Sequence, residues 1–291
     1  MKTNSIPLKN LLAALALCLA APLAHAEFAA STGFDYTTGK YGFDSATEIS
    51  NWSLTGEYTA QDWTEKIILP FERVSSPGGV TVINGKPQLI GSTKLVDILK
   101  AQHLTLAQYR QLYPTKAQKI AFLNANAPRE TNAGLGDVEL ATRYDAYKDK
   151  ANGWDIGLNG AVTFGTADSS KGLGTGRATY DLNVDLSRTI GRFTPTAGFG
   201  YRIVCKPSDT DLRNYIYGMI GCSYWVTDDT NMSITFESDQ RSSASSNVDN
   251  ELSFGLNHHL AKTWDLEAHV LAGLSQAAPD LGLGASVRYT F

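Results

Sequence analysis

From Leu281 to Phe291 the chain alternates, with Leu281, Leu283, Ala285, Val287, Tyr289 and Phe291 on one parity and Gly282, Gly284, Ser286, Arg288 and Thr290 on the other. A repeat of two is that of a β-strand with one oily and one polar face. Tyr180-Leu182-Val184-Leu186, Leu252-Phe254-Leu256, Phe193-Pro195-Ala197-Phe199-Tyr201-Ile203 and Trp264-Leu266-Ala268-Val270-Ala272-Leu274 repeat it, and the charges of these segments keep to the other parity. From Ser31 onward about twelve such segments can be marked, most of them long for soluble sheets and suited to tilted membrane strands.

In a soluble sandwich the apolar parity would face a core, whereas in a transmembrane barrel it faces lipid. The connections favour the barrel. The odd ones are Gly39 to Ser45, Ser76 to Ala133, Ala167 to Gly176, Lys206 to Asp211, Arg241 to Asn247 and Gln276 to Asp280. The even ones are tight or short: Ala60-Gln61, Lys148 to Gly153, Gly191-Arg192, Thr227 to Thr230 and Ala261-Lys262. A barrel with an even number of strands and both ends in the periplasm places its longer connections outside the cell. The pattern therefore predicts an all-β fold, a transmembrane antiparallel up-and-down β-barrel of about twelve strands in the bacterial outer membrane. No stretch after the first 26 residues is long and apolar enough for a membrane helix.

At the start of the chain, Lys2 and Lys9, the uncharged apolar run Leu11 to Ala20 and the small-x-small triplet Ala24-His25-Ala26 read as a secretory signal peptide. The expected domains are a signal over 1–26 and a barrel over 27–291. Phe291 supplies a terminal ring resembling the signal read by the bacterial barrel-insertion machinery. Deleting Phe291 should lower the yield of heat-modifiable protein in the outer membrane, and an unchanged yield would show the ring to be dispensable.

Cys18 leaves with the signal, and Cys205 and Cys222 remain. With Lys206 to Asp211 as a turn, Cys222 lies about ten residues down the returning strand, roughly 30 Å from Cys205 at ~3.3 Å per residue. A disulfide tolerates only about 7 Å between Cα atoms, so two free thiols are expected.

Removing the signal leaves 23 basic residues against 29 acidic ones, a net charge of −6, which excludes a nucleic-acid binder. The charge is unevenly placed. Ser76 to Ala133 carries Lys86, Lys94, Lys100, Arg110, Lys116, Lys119 and Arg129 against Asp97 and Glu130, a net +5, leaving −11 on the rest. Within it Thr93, Thr105 and Thr115 stand where helix N-caps would, ahead of apolar residues at helical spacing. A partly helical extracellular loop is expected. It is either a solvated surface loop, a contact for anionic lipopolysaccharide, or a cap over the barrel mouth carrying Lys94, Lys100, Arg110, Lys116 and Lys119.

The polar parity supplies candidate lumen-lining residues. Asp137, Glu139 and Arg143 come from one strand, Asp181 and Asp185 from the next but one, and Arg202 from its neighbour. Tyr215 and Tyr217 follow, then Glu237, Asp239 and Glu251, and finally Asp265, Glu267 and Arg288. Carboxylates dominate. Such a lining either cross-links a closed interior or forms a polar passage that disfavours anions and tolerates neutral or cationic solutes.

Hydrolase, metalloprotease, dithiol and nucleotide-loop motifs are absent from the sequence. Gly172-Leu173-Gly174-Thr175-Gly176 is flanked by strands, with no helix start after it, and reads as a flexible outer loop and not a phosphate cradle. His258 and His259 are strand neighbours and point to opposite faces, which does not suit a shared metal. His258 has the lipid-facing parity, but no local Ser partner marks a lipid hydrolase. No catalytic residue, cofactor or metal is assigned.

Thr38-Gly39-Lys40-Tyr41-Gly42, Leu69-Pro70-Phe71, Gly134-Leu135-Gly136-Asp137, Gly172 to Gly176, Gly200-Tyr201-Arg202 and Ala278-Pro279-Asp280 together resemble, in order and spacing, the outer-membrane family described as "Putative MetA-pathway of phenol degradation". The likeness runs over nearly the whole chain after the signal and is most specific from Gly134 onward. It implies a barrel that admits aromatic or hydrophobic compounds and carries over no site residues. The helical stretch within Ser76 to Ala133 departs from the family's shorter glycine-rich loop. The resulting expectation is a monomeric passive channel or facilitator for a small-molecule solute, in contact with outer-membrane lipid and lipopolysaccharide. The alternative is a closed structural or surface-interaction barrel.

Overall fold

The computed structural model describes residues 26–41, 46–76, 80–83, 86–89, 93–115, 118, 119, 121, 122, 126, 129–206, 212–242 and 247–291. The signal expected over 1–26 lies, but for Ala26, outside the described residues. The strands are β1 (Ala26–Gly39), β2 (Thr47–Ala60), β3 (Trp63–Ser76), β4 (Val80–Ile83), β5 (Lys86–Leu89), β6 (Glu130–Leu135), β7 (Glu139–Asp149) and β8 (Trp154–Thr163). They continue with β9 (Thr179–Arg188), β10 (Phe193–Val204), β11 (Tyr215–Trp225), β12 (Thr230–Asp239), β13 (Asp249–Ala261), β14 (Trp264–Gly273) and β15 (Leu281–Thr290). The helices α1 (Thr93–Ala101) and α2 (Leu106–Leu112) lie between β5 and β6, and residues 118, 119, 121, 122 and 126 beyond them are also helical.

The sheet closes on itself. β1 pairs antiparallel with β2 on one side and with β15 on the other, Ala29 opposite Thr290 and Thr38 opposite Leu281. β3 pairs with β7 from Trp63 to Ile68 and with β6 from Phe71 to Ser76. β6 and β7 are therefore two halves of one wall strand, and the barrel has twelve strands. Gly136–Val138 hold one residue more than β3 does opposite them, and the Gly136 N–H donates to the Pro70 carbonyl at 2.9 Å to keep the wall continuous.

The boundary at the start of β6 differs from the sequence reading by more than a turn residue. The wall resumes at Glu130, opposite Ser76, and not after Ala133. Arg129 donates from Nε to Ser75 Oγ at 2.9 Å, and Thr131 Oγ1 donates to the same oxygen at 3.1 Å. Glu130-Thr131-Asn132 sits at the rim, where no lipid demands an apolar parity, so the strand carries no alternation to read.

Each strand shows lipid its oily side. On β9, Leu182 is 60 %, Val184 48 % and Leu186 39 % exposed, alternating with Asp181, Asn183 and Asp185. An apolar surface continued in this way around a barrel is stable only against hydrocarbon. At the end bearing Ala26 and Phe291, outward rings pair as Phe28–Tyr58, Trp63–Tyr144 and Trp264–Tyr289, an aromatic girdle at one interface. The short connections lie at this end and the long ones at the other. The protein is thus an outer-membrane barrel with its long loops outside. Cys205 and Cys222 are free thiols, and Cys222 pairs in register with Pro195, far down β10 from Cys205.

The most deeply buried side chains do not form a central core. Thr47, Thr81, Val82, Leu173 and Leu212 are the largest nearly inaccessible ones, and they gather at the outer rim. Something fills the mouth.

Candidate functional site: the barrel mouth and inner wall

The element in the mouth is β4. Among the described residues it pairs only with β5, Val80 opposite Leu89 and Ile83 opposite Lys86, apart from the barrel sheet. Val82 packs with Ile49 of β2, Val74 of β3 and the loop residues Ala167 and Leu173, and its N–H donates to the Gly172 carbonyl at 3.0 Å. Its neighbour Ile83 packs against Val204, Leu212 and Tyr215. Successive strand side chains point opposite ways, and β2 and β11 are six strands apart in the ring of twelve, so β4 bridges the opening from wall to wall.

The glycine-rich loop packs beside it. Leu173 is 2 % exposed, against the expectation of a flexible loop, because one leucine among glycines at a polar rim buries itself against Ile49, Val74 and Val82. A Cβ on Gly134 would come within 3.1 Å of Leu173 Cδ1, and one on Gly174 within 2.8 Å of Asp137 Oδ2. The two glycine motifs lie face to face and need their missing side chains. Asp137 Oδ1 accepts from the Ala167 N–H at 2.8 Å, tying the loop to the wall.

The helices have a small core of their own, Leu95, Leu99, Tyr109 and Phe122. Thr105 caps α2 in a reciprocal box with Gln108, and Thr115 makes the same exchange with Gln118. Thr93 is the first residue of α1. Burial, with Tyr113 beside it, pushes the Tyr109 hydroxyl up to about 12. α1 lies beside Ser169–Lys171. Of the candidate cap cations, Lys100 and Arg110 are exposed and Lys119 is half-buried. Lys116 and the Lys94 side chain lie outside what is described. The segment's contact with the inside of the barrel is made by β4, which sequence reading did not anticipate.

Inside, three arginines organise the wall. Arg143 donates to Asp145 at 2.8 Å, Asp155 at 2.7 Å and Asp185 at 2.6 Å, using all three guanidinium nitrogens, while Lys148 also reaches Asp145. Asn159 Nδ2 donates to Asp185 at 2.6 Å and Asn183 at 3.1 Å, and a Cβ at Gly157 would lie 2.2 Å from Arg143 Nη1. The guanidinium thus lies flat over Gly157.

Arg202 repeats the device nearer the mouth. It donates to Asp181 Oδ2 at 2.8 Å and to the Tyr215 hydroxyl at 3.0 Å, and Tyr217 donates to Asp181 Oδ1 at 2.6 Å. The guanidinium stacks 5.7 Å and 5.3 Å from the two ring centroids. Towards the periplasm, Arg288 reaches Glu57 at 2.6 Å, Asp265 at 3.3 Å and Glu27 at 3.5 Å, and Lys66 pairs with Glu57 at 3.0 Å. Each of these inner cations is bound to carboxylates.

Between the mouth and the Arg143 cluster lies a cavity of ≈ 500 Å³. Six carboxylates line it, Glu72, Asp137, Glu139, Asp181, Glu237 and Asp239, against one guanidinium, Arg202. The other sequence-derived candidates lie elsewhere on the inner parity. Glu251 faces Glu237 in register, Arg143 and Asp185 lie in the cluster below, and Asp265 and Arg288 stand at the periplasmic end. Glu267 accepts from Asn257 Nδ2 at 3.1 Å. Tyr215 and Tyr217 hold Arg202. His258 turns outward to Thr230, and His259 turns inward to Asp265 and stacks on Trp225. Reading the sequence missed Ile49, Val82 and Leu173 as mouth residues. The lone leucine in Gly172 to Gly176 was the available signal.

Comparison with curated protein sequences finds no match. Among solved structures, an outer membrane channel from Pseudomonas putida F1 superposes with a TM-score of 0.62 at 14% identity, covering 93% of this chain and 97% of that one. The NanC porin superposes with a TM-score of 0.51 at 11% identity, covering 89% and 98%. At such identities the likeness is one of fold, that of outer-membrane barrels. A sequence profile matches residues 113–291, so Gly134 to Asp137, Gly172 to Gly176 and Ala278 to Asp280 fall inside it and Thr38 to Gly42 falls outside. The chain belongs to the family described as "Putative MetA-pathway of phenol degradation".

Proposed function

We propose that this barrel is a passive channel for small neutral or cationic solutes, closed at the outer mouth by β4 and the glycine-rich loop in the state described. The observation that carries this reading is the cavity beneath the mouth, where six carboxylates meet one guanidinium that is itself bound to Asp181. A lining of one sign excludes co-ions and concentrates counter-ions in a low-dielectric passage. Glycines under Arg143 and Tyr217 let these long side chains lie against the wall. Aromatic solutes are favoured by membership of the family.

The packing of Val82, Leu173 and Ile83 in the mouth favours a second reading, a barrel closed throughout. Planar-bilayer recording decides between them. A gated channel should give discrete conductance steps with long closed intervals, whereas folded protein that inserts and never conducts would support the closed barrel.

A further inference from the structure

We propose that Glu72 and Asp137 form the recognition site for the ammonium group of an amphiphilic amine, whose apolar part lies against the underside of the mouth plug. The inference rests on the channel reading and names its solute class. Glu72 is 9 % exposed, lines the cavity, and its Oε2 meets no hydrogen-bond donor among the described residues. A carboxyl group buried without a donor is costly, and a cation brought to it recovers that cost. Asp137 is close enough to repel it electrostatically. Glycines make room for both, since a Cβ at Gly136 would lie 3.0 Å from Glu72 Oε1 and one at Gly174 2.8 Å from Asp137 Oδ2, and the Ala167 N–H fixes Asp137 through its other oxygen at 2.8 Å.

The rest of the lining sets the class of solute. Ile49, Ile68, Pro70, Val82 and Leu173 border the same cavity, an apolar surface of no use to a bare ion. Ca²⁺ would need six or more oxygens, and among the described residues no group of three or more metal-ligating side chains converges. An organic ammonium uses both parts: charge-assisted hydrogen bonds to the carboxylates and burial of its hydrocarbon under Val82 and Leu173.

The test is calorimetric titration of the folded protein in detergent micelles with phenethylammonium, with phenethyl alcohol as the uncharged ring control and Ca²⁺ as the metal control. Wild type should bind the amine about tenfold or more tightly than the alcohol, the effect of a charged hydrogen bond. Glu72→Gln should abolish that preference, leave alcohol affinity unchanged and stay heat-modifiable. Equal affinities for amine and alcohol in wild type would overturn the proposal, as would amine affinity unchanged in folded Glu72→Gln and Asp137→Asn, or binding of Ca²⁺ in place of the amine. If Glu72→Gln does not fold, the wild-type comparison and Asp137→Asn decide. Amine preference in a barrel that never conducts keeps the site and ends the channel reading. Conductance without amine preference does the reverse.

Discussion

Joining Ser76 to Glu130 through a short Gly/Ser turn should raise single-channel conductance several-fold and strengthen cation preference in the same protein. The two residues are direct partners across β3 and β6, so a hairpin turn of a few residues can replace 77–129 without moving the wall. The excision removes β4 from between opposite walls. Leu173 then loses Val82, its main partner from that segment, and the glycine-rich loop is freed with it. Seven basic residues and one acidic residue leave at once, so the mouth also loses positive charge above an acidic cavity. Obstruction and compensating charge are lost together, which is why both readouts should move. Unchanged conductance in a heat-modifiable deletion variant would show that the segment obstructs nothing.

Replacing Arg143 by Met should be the most damaging single change on the inner wall. Its three carboxylate partners lie within 2.8 Å of one guanidinium, and Asp145 and Asp185 are mostly buried. Breaking a buried pair costs about 3–5 kcal/mol. Water in the lumen screens part of the repulsion left behind, so about 2–3 kcal/mol is expected here. Arg143→Lys should restore much of the charge balance but not the three-way hydrogen bonding, and should fall between the two. Urea unfolding in lipid vesicles, followed by tryptophan fluorescence, measures this. A Met variant as stable as wild type would mean that the cluster contributes no net stability.

The wall was legible because lipid imposes a rule on every strand that crosses it. Leu182-Val184-Leu186 and Leu281-Leu283 could be phased from sequence alone, and with them the inward sides of Asp181, Asp185 and Arg288. Where lipid imposes nothing, the signal stops. β6 begins above the bilayer in a polar stretch and was read as loop until Ala133. β4 has apolar residues on both of its faces, Val82 for one wall and Ile83 for the other, so its sequence shows no alternation. Its position depends on walls built from residues far away in the chain. The lack of a donor at Glu72 depends on the fold of Gly134 to Asp137 beneath it.

The central claim is a conducting lumen with a net negative interior. The reversal potential of the wild-type protein in a planar bilayer under a potassium chloride gradient tests it most directly. The account predicts current steps whose reversal potential lies on the potassium side. A reversal potential on the chloride side, or no current from protein shown to be folded and inserted, would contradict it.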